Sequence, residues 1–194
     1  MSHAVRLSRG FIGRLITQLK QVHTLPDQKQ THLSIGCKQD IEWRNRYSSR
    51  FNGIEMLYPT DPLDLPLSEL LDTCSMVNCG DAQPNGGGAY FGTEYWSRRF
   101  PDWLLDKSTP IHLKEFWVVV VSAWLWAEKW KGHLVYVFCD NTAVVELLEK
   151  DRPKDLRIIE LFQEYLYIVS TRGFTPVFMK VGTKDNLFAV QTEI

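Results

Sequence analysis

The clearest hydrophobic pattern in the chain consists of short apolar runs that each end at an aspartate. Residues 133–141, HLVYVFCDN, combine β-branched and aromatic positions and predict a strand that ends at Asp140. Residues 74–80, CSMVNCG, predict a shorter strand that leads into Asp81. Two further strands are predicted over residues 86–100 and 175–182.

Apolar positions at helical spacing separate these strands. Residues 111–130 have an apolar stripe that comprises Leu113, Trp117, Val120, Val121 and Trp124. The four valines would also suit a strand, but the length of the segment and its flanking Lys and Glu residues favour a helix. Two more helices are predicted over residues 142–151 and 155–173, the second ending at Gly173 as its C-cap. Strands alternating with helices in this order predict an α/β fold.

The first third of the chain has a different pattern. Residues 5–23 and 37–51 predict two amphipathic helices, and three prolines follow between residues 59 and 66. We therefore predict a helical segment with a proline-rich linker over residues 1–66, too small to hold a core of its own. The α/β domain is predicted over residues 67–194.

Composition narrows the class of protein. The chain has 194 residues, 44% of them hydrophobic, with seven tryptophans, which is enough for a substantial core. The net charge of −1 gives no overall attraction to nucleic acid, although residues 1–50 carry nine Lys and Arg against three acidic residues. The four cysteines form no C-x-x-C pair, and no apolar run is long enough to span a membrane. We expect an intracellular protein of the cytoplasm or nucleus, with reduced thiols and no membrane partner.

Three carboxylates fall at positions where an α/β sheet collects ligands. Asp81 and Asp140 end strands, and Glu115 lies in the first turns of the valine-rich helix. Clustered carboxylates repel one another unless a cation neutralises them, and oxygen ligands favour Mg²⁺ or Mn²⁺. Each residue also has a plain structural interpretation. An aspartate after a strand can be a turn or a helix N-cap, and a glutamate near a helix start is favoured by the helix dipole.

The combination of these motifs resembles a known family. The order of DA at 81–82, LKEF at 113–116 and CDN at 139–141 is similar to the ribonuclease H domain of retroelement reverse transcriptases, and most similar to the DIRS-type and related elements. RGFIGRLI at 9–16 and HLSIGCKQDIEWRNRYSSRFNGI at 32–54 resemble the segment that connects polymerase to ribonuclease H in those polyproteins. The resemblance implies a ribonuclease H-like mixed sheet flanked by helices, with a small helical N-terminal appendage.

The resemblance also implies an activity and its residues. Asp81, Glu115 and Asp140 would bind two divalent ions, Mg²⁺ or Mn²⁺, and the enzyme would cut the RNA strand of RNA–DNA hybrids. Asn141 would touch the substrate or cap the following helix. Gly86–Gly88 would form the tight turn between the first two strands, and Lys and Arg residues of the N-terminal part would contact the hybrid backbone.

The end of the chain departs from the family pattern. Lys180 stands where the family has a histidine, and Val190 stands where it has a fourth acid, with Asp185 or Glu193 as replacements for that acid. The chain stops four residues after Val190, which predicts a domain truncated at its C-terminus and impaired activity. The alternative is a domesticated relic, a catalytically inactive module with the same fold that binds nucleic acid or protein. The oligomeric state is left open by the sequence.

Overall fold

The computed structural model describes residues 13–22, 32–50, 65, 67–150 and 156–182. Within these ranges the helices are α1 (Gly13–Val22), α2 (Ile35–Arg50), α3 (Leu67–Thr73), α4 (Asp102–Leu105), α5 (Ile111–Trp130), α6 (Thr142–Lys150) and α7 (Leu156–Arg172). The strands are β1 (Val77–Ala82), β2 (Gly86–Phe91), β3 (Glu94–Arg99), β4 (Leu134–Cys139) and β5 (Thr175–Lys180). The predicted proline-rich linker and the C-terminal positions 185, 190 and 193 lie outside the described residues, so the proposed domain boundary stays a prediction.

The five strands form one mixed sheet in the order β3-β2-β1-β4-β5. The β1–β2 and β2–β3 pairs are antiparallel, whereas β1 pairs with β4, and β4 with β5, in parallel. One face packs against α5 in the main core, and Leu70 of α3 packs on the opposite face against Val77, Cys79 and Tyr136. This arrangement confirms the predicted mixed sheet flanked by helices.

Helix α5 confirms the helical interpretation of the valine-rich segment, but the predicted apolar stripe is wrong as a description of the buried face. Leu113 and Val120 are buried, whereas Trp124 is 52% exposed. The buried positions extend around most of the helix because α5 lies between the sheet and α7, where Phe116 packs against Phe162. A helix that is apolar on nearly all sides gives no clear periodicity from which to choose a face. No helix in the described ranges, α5 included, is long and apolar enough to cross a membrane.

The segment predicted as one strand after a glycine turn is two strands. Residues 86–100 form the hairpin of β2 and β3, with the turn at Gly92, whose φ of 61° lies in the left-handed region. The prediction that Gly86–Gly88 form the turn is therefore also wrong, because these glycines begin β2. The preceding turn is made by residues 83–85, and the amide of Gln83 donates to the carbonyl of Gly86 at 2.7 Å.

The N-terminal helices pack on the α/β part through a buried polar contact. Asp40 of α2 is fully buried and accepts a hydrogen bond of 2.9 Å from Nε2 of Gln163 in α7. Nη1 of Arg14 in α1 lies 3.6 Å from the same carboxylate. The ring of Trp43 meets Tyr167 edge to face, with centroids 5.9 Å apart. Helix α2 is therefore held against α7, and Arg14 connects α1 to α2.

Candidate metal centre

The parallel pairing of β1 and β4 brings two of the predicted carboxylates to one edge of the sheet. Cys79 of β1 is in register with Phe138 of β4, and Asp81 and Asp140 each come two residues later. Adjacent strands lie about 4.8 Å apart, so the two aspartates occupy neighbouring positions at the carboxyl ends of their strands. Burial, and after it the negative charge of Asp140, raises the pKa of Asp81, as expected for carboxylates at such positions.

Helix α5 places the third carboxylate because two glycines let it approach the sheet closely. A Cβ at Gly80 would lie 2.8 Å from Cγ1 of Val118, and a Cβ at Gly87 would lie 2.5 Å from Cγ2 of the same residue. Any other residue at these positions would push the helix outward. Glu115 lies one helical turn before Val118 and is only 4% exposed. Gly87, which was predicted to lie in the turn, therefore acts together with Gly80 at the helix–sheet contact beside Glu115.

One backbone amide lies beside two of the carboxylates. The N–H of Ala82 donates to Oδ1 of Asp81 at 2.8 Å, and burial and the charges of Asp140 and Asp81 raise the pKa of Glu115 despite the opposing effect of the same amide. A single N–H beside two acidic side chains satisfies little of their hydrogen-bonding capacity. The remaining oxygen lone pairs are available to a cation.

Cys139 is a member of the cluster that the sequence analysis missed. Glu115, Cys139 and Asp140 each place one potential ligand atom within 4.8 Å of the others, and Asp81 lies outside this tightest group. The thiol of Cys139 is 4.0 Å from Oε2 of Glu115, and burial raises its pKa, so the group stays protonated at neutral pH. The sequence signal that could have placed Cys139 beside the acids is its position directly before Asp140 in the CDN motif.

Burial and mutual repulsion both act on the carboxylates. Burial, followed by the charges of Asp140 and Asp81, raises the pKa of Glu115 to about 9. Burial and then the charge of Asp140 raise the pKa of Asp81. In the absence of a cation, Glu115 therefore holds a proton at neutral pH.

These residues fit a hard divalent cation. Glu115 and Asp140 lie together with Cys139, and Asp81 stands at the end of the neighbouring strand. Burial and the nearby acids raise the pKa values of Asp81 and Glu115, so the folded chain alone does not neutralise their charge. Mg²⁺ and Mn²⁺ prefer oxygen ligands of this kind, and a protonated thiol is a poor competitor for them. An isolated turn or an isolated cap does not account for a buried carboxyl group, Glu115, whose pKa is raised by burial and by the charges of Asp140 and Asp81.

Asn141, the fourth predicted site residue, caps α6. Its side-chain Oδ1 accepts a hydrogen bond of 3.0 Å from the N–H of Ala143, and its carbonyl oxygen accepts one of 3.1 Å from Val144. This interaction fixes the start of the helix directly after Asp140. The capping role left open by the sequence is present, and contact of the amide with a substrate stays a prediction.

The N-terminal end of α5 is attached to the turn between β1 and β2. Lys114 is 7% exposed, and its ammonium donates a hydrogen bond of 2.7 Å to the carbonyl of Pro84. The same ammonium lies 5.7 Å from the centroid of the Phe100 ring. Lys114 directly precedes Glu115 in the LKEF motif, and the sequence analysis assigned it no role.

One of the basic residues expected to contact the hybrid backbone is used inside the protein instead. Arg14 donates to the carbonyl of Gly36 at 3.3 Å and to Oε1 of Gln39 at 3.0 Å. Trp126 and Trp130 of α5 are buried core residues. Arg14 and these tryptophans are therefore structural.

No protein-family model and no curated protein matches the sequence. Solved structures are similar in fold. An N-terminal RNase H domain from Mycobacterium tuberculosis, fused to maltose-binding protein, is 15% identical with a TM-score of 0.48, over 59% of this chain and 87% of that one. LC11-RNase H1 in complex with an RNA/DNA hybrid is 16% identical with a TM-score of 0.46, over 59% and 89%. A foamy viral protease–reverse transcriptase with an RNA/DNA hybrid is 14% identical with a TM-score of 0.45, over 91% of this chain and 25% of that one. At these identities the likeness concerns the fold alone.

Proposed function

We propose that this chain is a divalent-metal-dependent endonuclease of the ribonuclease H type, which cuts the RNA strand of RNA–DNA hybrids. The observation that supports it best is the placement of Asp81 and Asp140 at neighbouring strand ends beside the buried Glu115, whose pKa is raised to about 9 by burial and by the charges of Asp140 and Asp81. A structural role gives no reason to hold a buried carboxyl group beside two other acids at such a cost. A cation site gives one.

In this proposal each carboxylate has a distinct task. Asp81 and Asp140 present oxygens from neighbouring strand ends, and Glu115 closes the site from the helix side. Two divalent ions held there would supply activation of a water molecule and stabilisation of the leaving oxygen in phosphodiester hydrolysis. Because Glu115 carries a proton when the site is empty, cation binding must release that proton, and the affinity for Mg²⁺ should rise with pH.

The hybrid substrate and a retroelement origin of the DIRS type are proposed from the sequence resemblance. Two of the solved structures similar in fold hold an RNA/DNA hybrid. In our proposal the side-chain amide of Asn141 projects Nδ2 toward the substrate while Oδ1 keeps its capping bond to Ala143. Exposed Lys and Arg residues of the N-terminal helices would contact the phosphates of the hybrid.

A cleavage assay tests the proposed function. The purified chain is incubated with a labelled RNA–DNA hybrid and Mn²⁺ or Mg²⁺, beside the variants Asp140→Asn and Asp72→Asn. Asp72 is an exposed acid of α3, so the second variant makes the same change in charge away from the cluster. We expect cleavage by the wild type and by Asp72→Asn, and a loss of at least about 100-fold in Asp140→Asn. Absence of cleavage, or cleavage that survives Asp140→Asn, would defeat the catalytic proposal.

A binding function without cleavage is the second candidate, and Lys180 is the observation that favours it. Lys180 ends β5 in register with Cys139, and thus stands at the same sheet edge as the acids, where the resemblance calls for a histidine. A lysine there offers a phosphate contact without the proton transfer that a histidine provides. This candidate predicts hybrid binding that weakens with salt and requires no divalent ion, measured by fluorescence anisotropy in EDTA. Binding insensitive to salt would count against it.

A further inference from the structure

We infer that Lys114 is a positioning residue that sets the location of the Glu115 carboxylate and thereby the cation affinity of the site. The inference rests on the proposed function, because it concerns the same acidic cluster. Its basis is the hydrogen bond of 2.7 Å between the buried Lys114 ammonium and the carbonyl of Pro84.

The bond connects the two elements that meet at the site. Pro84 lies two residues after Ala82, whose N–H donates to the carboxylate of Asp81 at 2.8 Å. Lys114 directly precedes Glu115 in α5. The attachment of the helix to the turn therefore lies within a few residues of Asp81 on one element and next to Glu115 on the other, and it limits how far the two carboxylates can move apart.

The two neighbouring side chains act in different directions. Successive residues of an α-helix point about 100° apart, so Lys114 and Glu115 leave α5 along separate paths. Lys114 reaches the carbonyl of Pro84 above the ring of Phe100, and Glu115 points toward the thiol of Cys139 at the sheet edge. Lys114 therefore acts on the site through the placement of the helix, and its ammonium is committed to a backbone carbonyl.

The positioning role of Lys114 and its positive charge predict opposite changes in Mn²⁺ affinity when the lysine is replaced. If its charge alone mattered, Lys114→Met would take a positive charge away from a cation site and tighten the binding of Mn²⁺. If placement matters, the same variant frees the start of α5 and weakens the binding. Pro84 is exposed, so water can replace the lost donor to its carbonyl and the fold should survive the substitution.

The test measures two properties of the full chain without using activity. Mn²⁺ affinity is determined by electron paramagnetic resonance of the free ion, and the amide signal of Ala82 is followed by NMR in the metal-free protein. Lys129→Met is the matched control, since it removes a lysine from the far end of α5, where Lys129 pairs with the exposed Glu94. Lys114→Arg keeps a donor that can reach the same carbonyl.

We expect Mn²⁺ affinity to fall about 10-fold in Lys114→Met and to remain within about threefold of wild type in Lys114→Arg and Lys129→Met. The Ala82 amide signal should move in Lys114→Met alone. If Lys114→Met does not fold, Lys114→Gln, whose side chain is too short to reach Pro84, carries the same expectation. Unchanged or tighter Mn²⁺ binding in the folded variant would overturn the inference and leave the proposed function standing. A wild-type chain that binds no Mn²⁺ would overturn both.

Discussion

The substitution Glu115→Gln should make the metal-free protein more stable at neutral pH, although it removes a group that we place in the functional site. Glu115 is 4% exposed and lies beside two other acids, which together with burial raise its pKa to about 9 from an ordinary value of 4.5. Glutamine has nearly the same shape and never ionises. The variant therefore keeps the packing and removes the free-energy cost of protonating this group at neutral pH.

The sign follows from proton linkage. Between pH 4.5 and about pH 9 the folded chain retains a proton on Glu115 that the unfolded chain has lost. The free energy of unfolding of the wild type therefore falls as pH rises through this window, by up to about 1.4 kcal/mol per pH unit. From pH 5.5 to pH 7.5 the free energy of unfolding of the wild type should fall by roughly 3 kcal/mol, whereas that of Glu115→Gln should not change for this reason. For a chain of this size the difference corresponds to roughly 6–12 °C in melting temperature.

Calorimetric melts in EDTA at pH 5.5, 6.5 and 7.5 provide the measurement. The difference in melting temperature between Glu115→Gln and wild type should widen as pH rises. Glu160→Gln, a change at an exposed position of α7, serves as the control and should follow the wild type. If Glu115→Gln and wild type decline in parallel across this range, Glu115 does not carry a raised pKa, and the electrostatic argument for a cation site fails.

Three other outcomes are expected. Gly87→Ala should destabilise the fold by about 1–3 kcal/mol in urea titrations, because its Cβ would lie 2.5 Å from Cγ2 of Val118. The control Gly13→Ala, whose Cβ would have no atom within 4 Å, should have little effect. Equal effects of the two variants would contradict the close approach. Gln163→Leu should lower the free energy of unfolding by about 1–3 kcal/mol, because the buried carboxylate of Asp40 loses the hydrogen bond of 2.9 Å that Gln163 donates. An unchanged urea midpoint would show that this bond does not stabilise the fold. Mg²⁺ at a hundredfold excess over its Kd should raise the free energy of unfolding at pH 7.5 by about 3 kcal/mol. A melting temperature that does not change with Mg²⁺ would show that the folded chain does not bind the ion in preference to the unfolded chain.

The strands that place the candidate site were predictable because their signals are local. The apolar run before Asp140 is rich in β-branched and aromatic residues and has clear ends, and the structure gives β4 over Leu134–Cys139. The run before Asp81 predicted β1, although the strand continues through Ala82. When two strands that each end in an acid pair in parallel, both acids lie at the same edge of the sheet. The placement of these aspartates is therefore readable from the sequence once an α/β fold is assumed.

Features that depend on contacts between distant segments were not predictable. Three consecutive glycines are typical of a turn, but Gly87 is required because Val118 of α5, far along the chain, approaches it in the folded protein. Cys139 gains its significance only from its distance to Glu115. Likewise, Lys114 resembles an ordinary helix-surface lysine until the turn at Pro84 is placed beneath it. Local pattern carries no information about these tertiary approaches.

The central claim is that Asp81, Glu115 and Asp140 together hold divalent cations. Anomalous diffraction from crystals grown with Mn²⁺ tests this most directly, with Asp140→Asn crystals as the comparison. We predict Mn²⁺ signal between the three carboxylates of the wild type, and its loss or marked reduction in Asp140→Asn. Carboxylates that point apart, or Mn²⁺ bound only elsewhere on the protein, would contradict the claim.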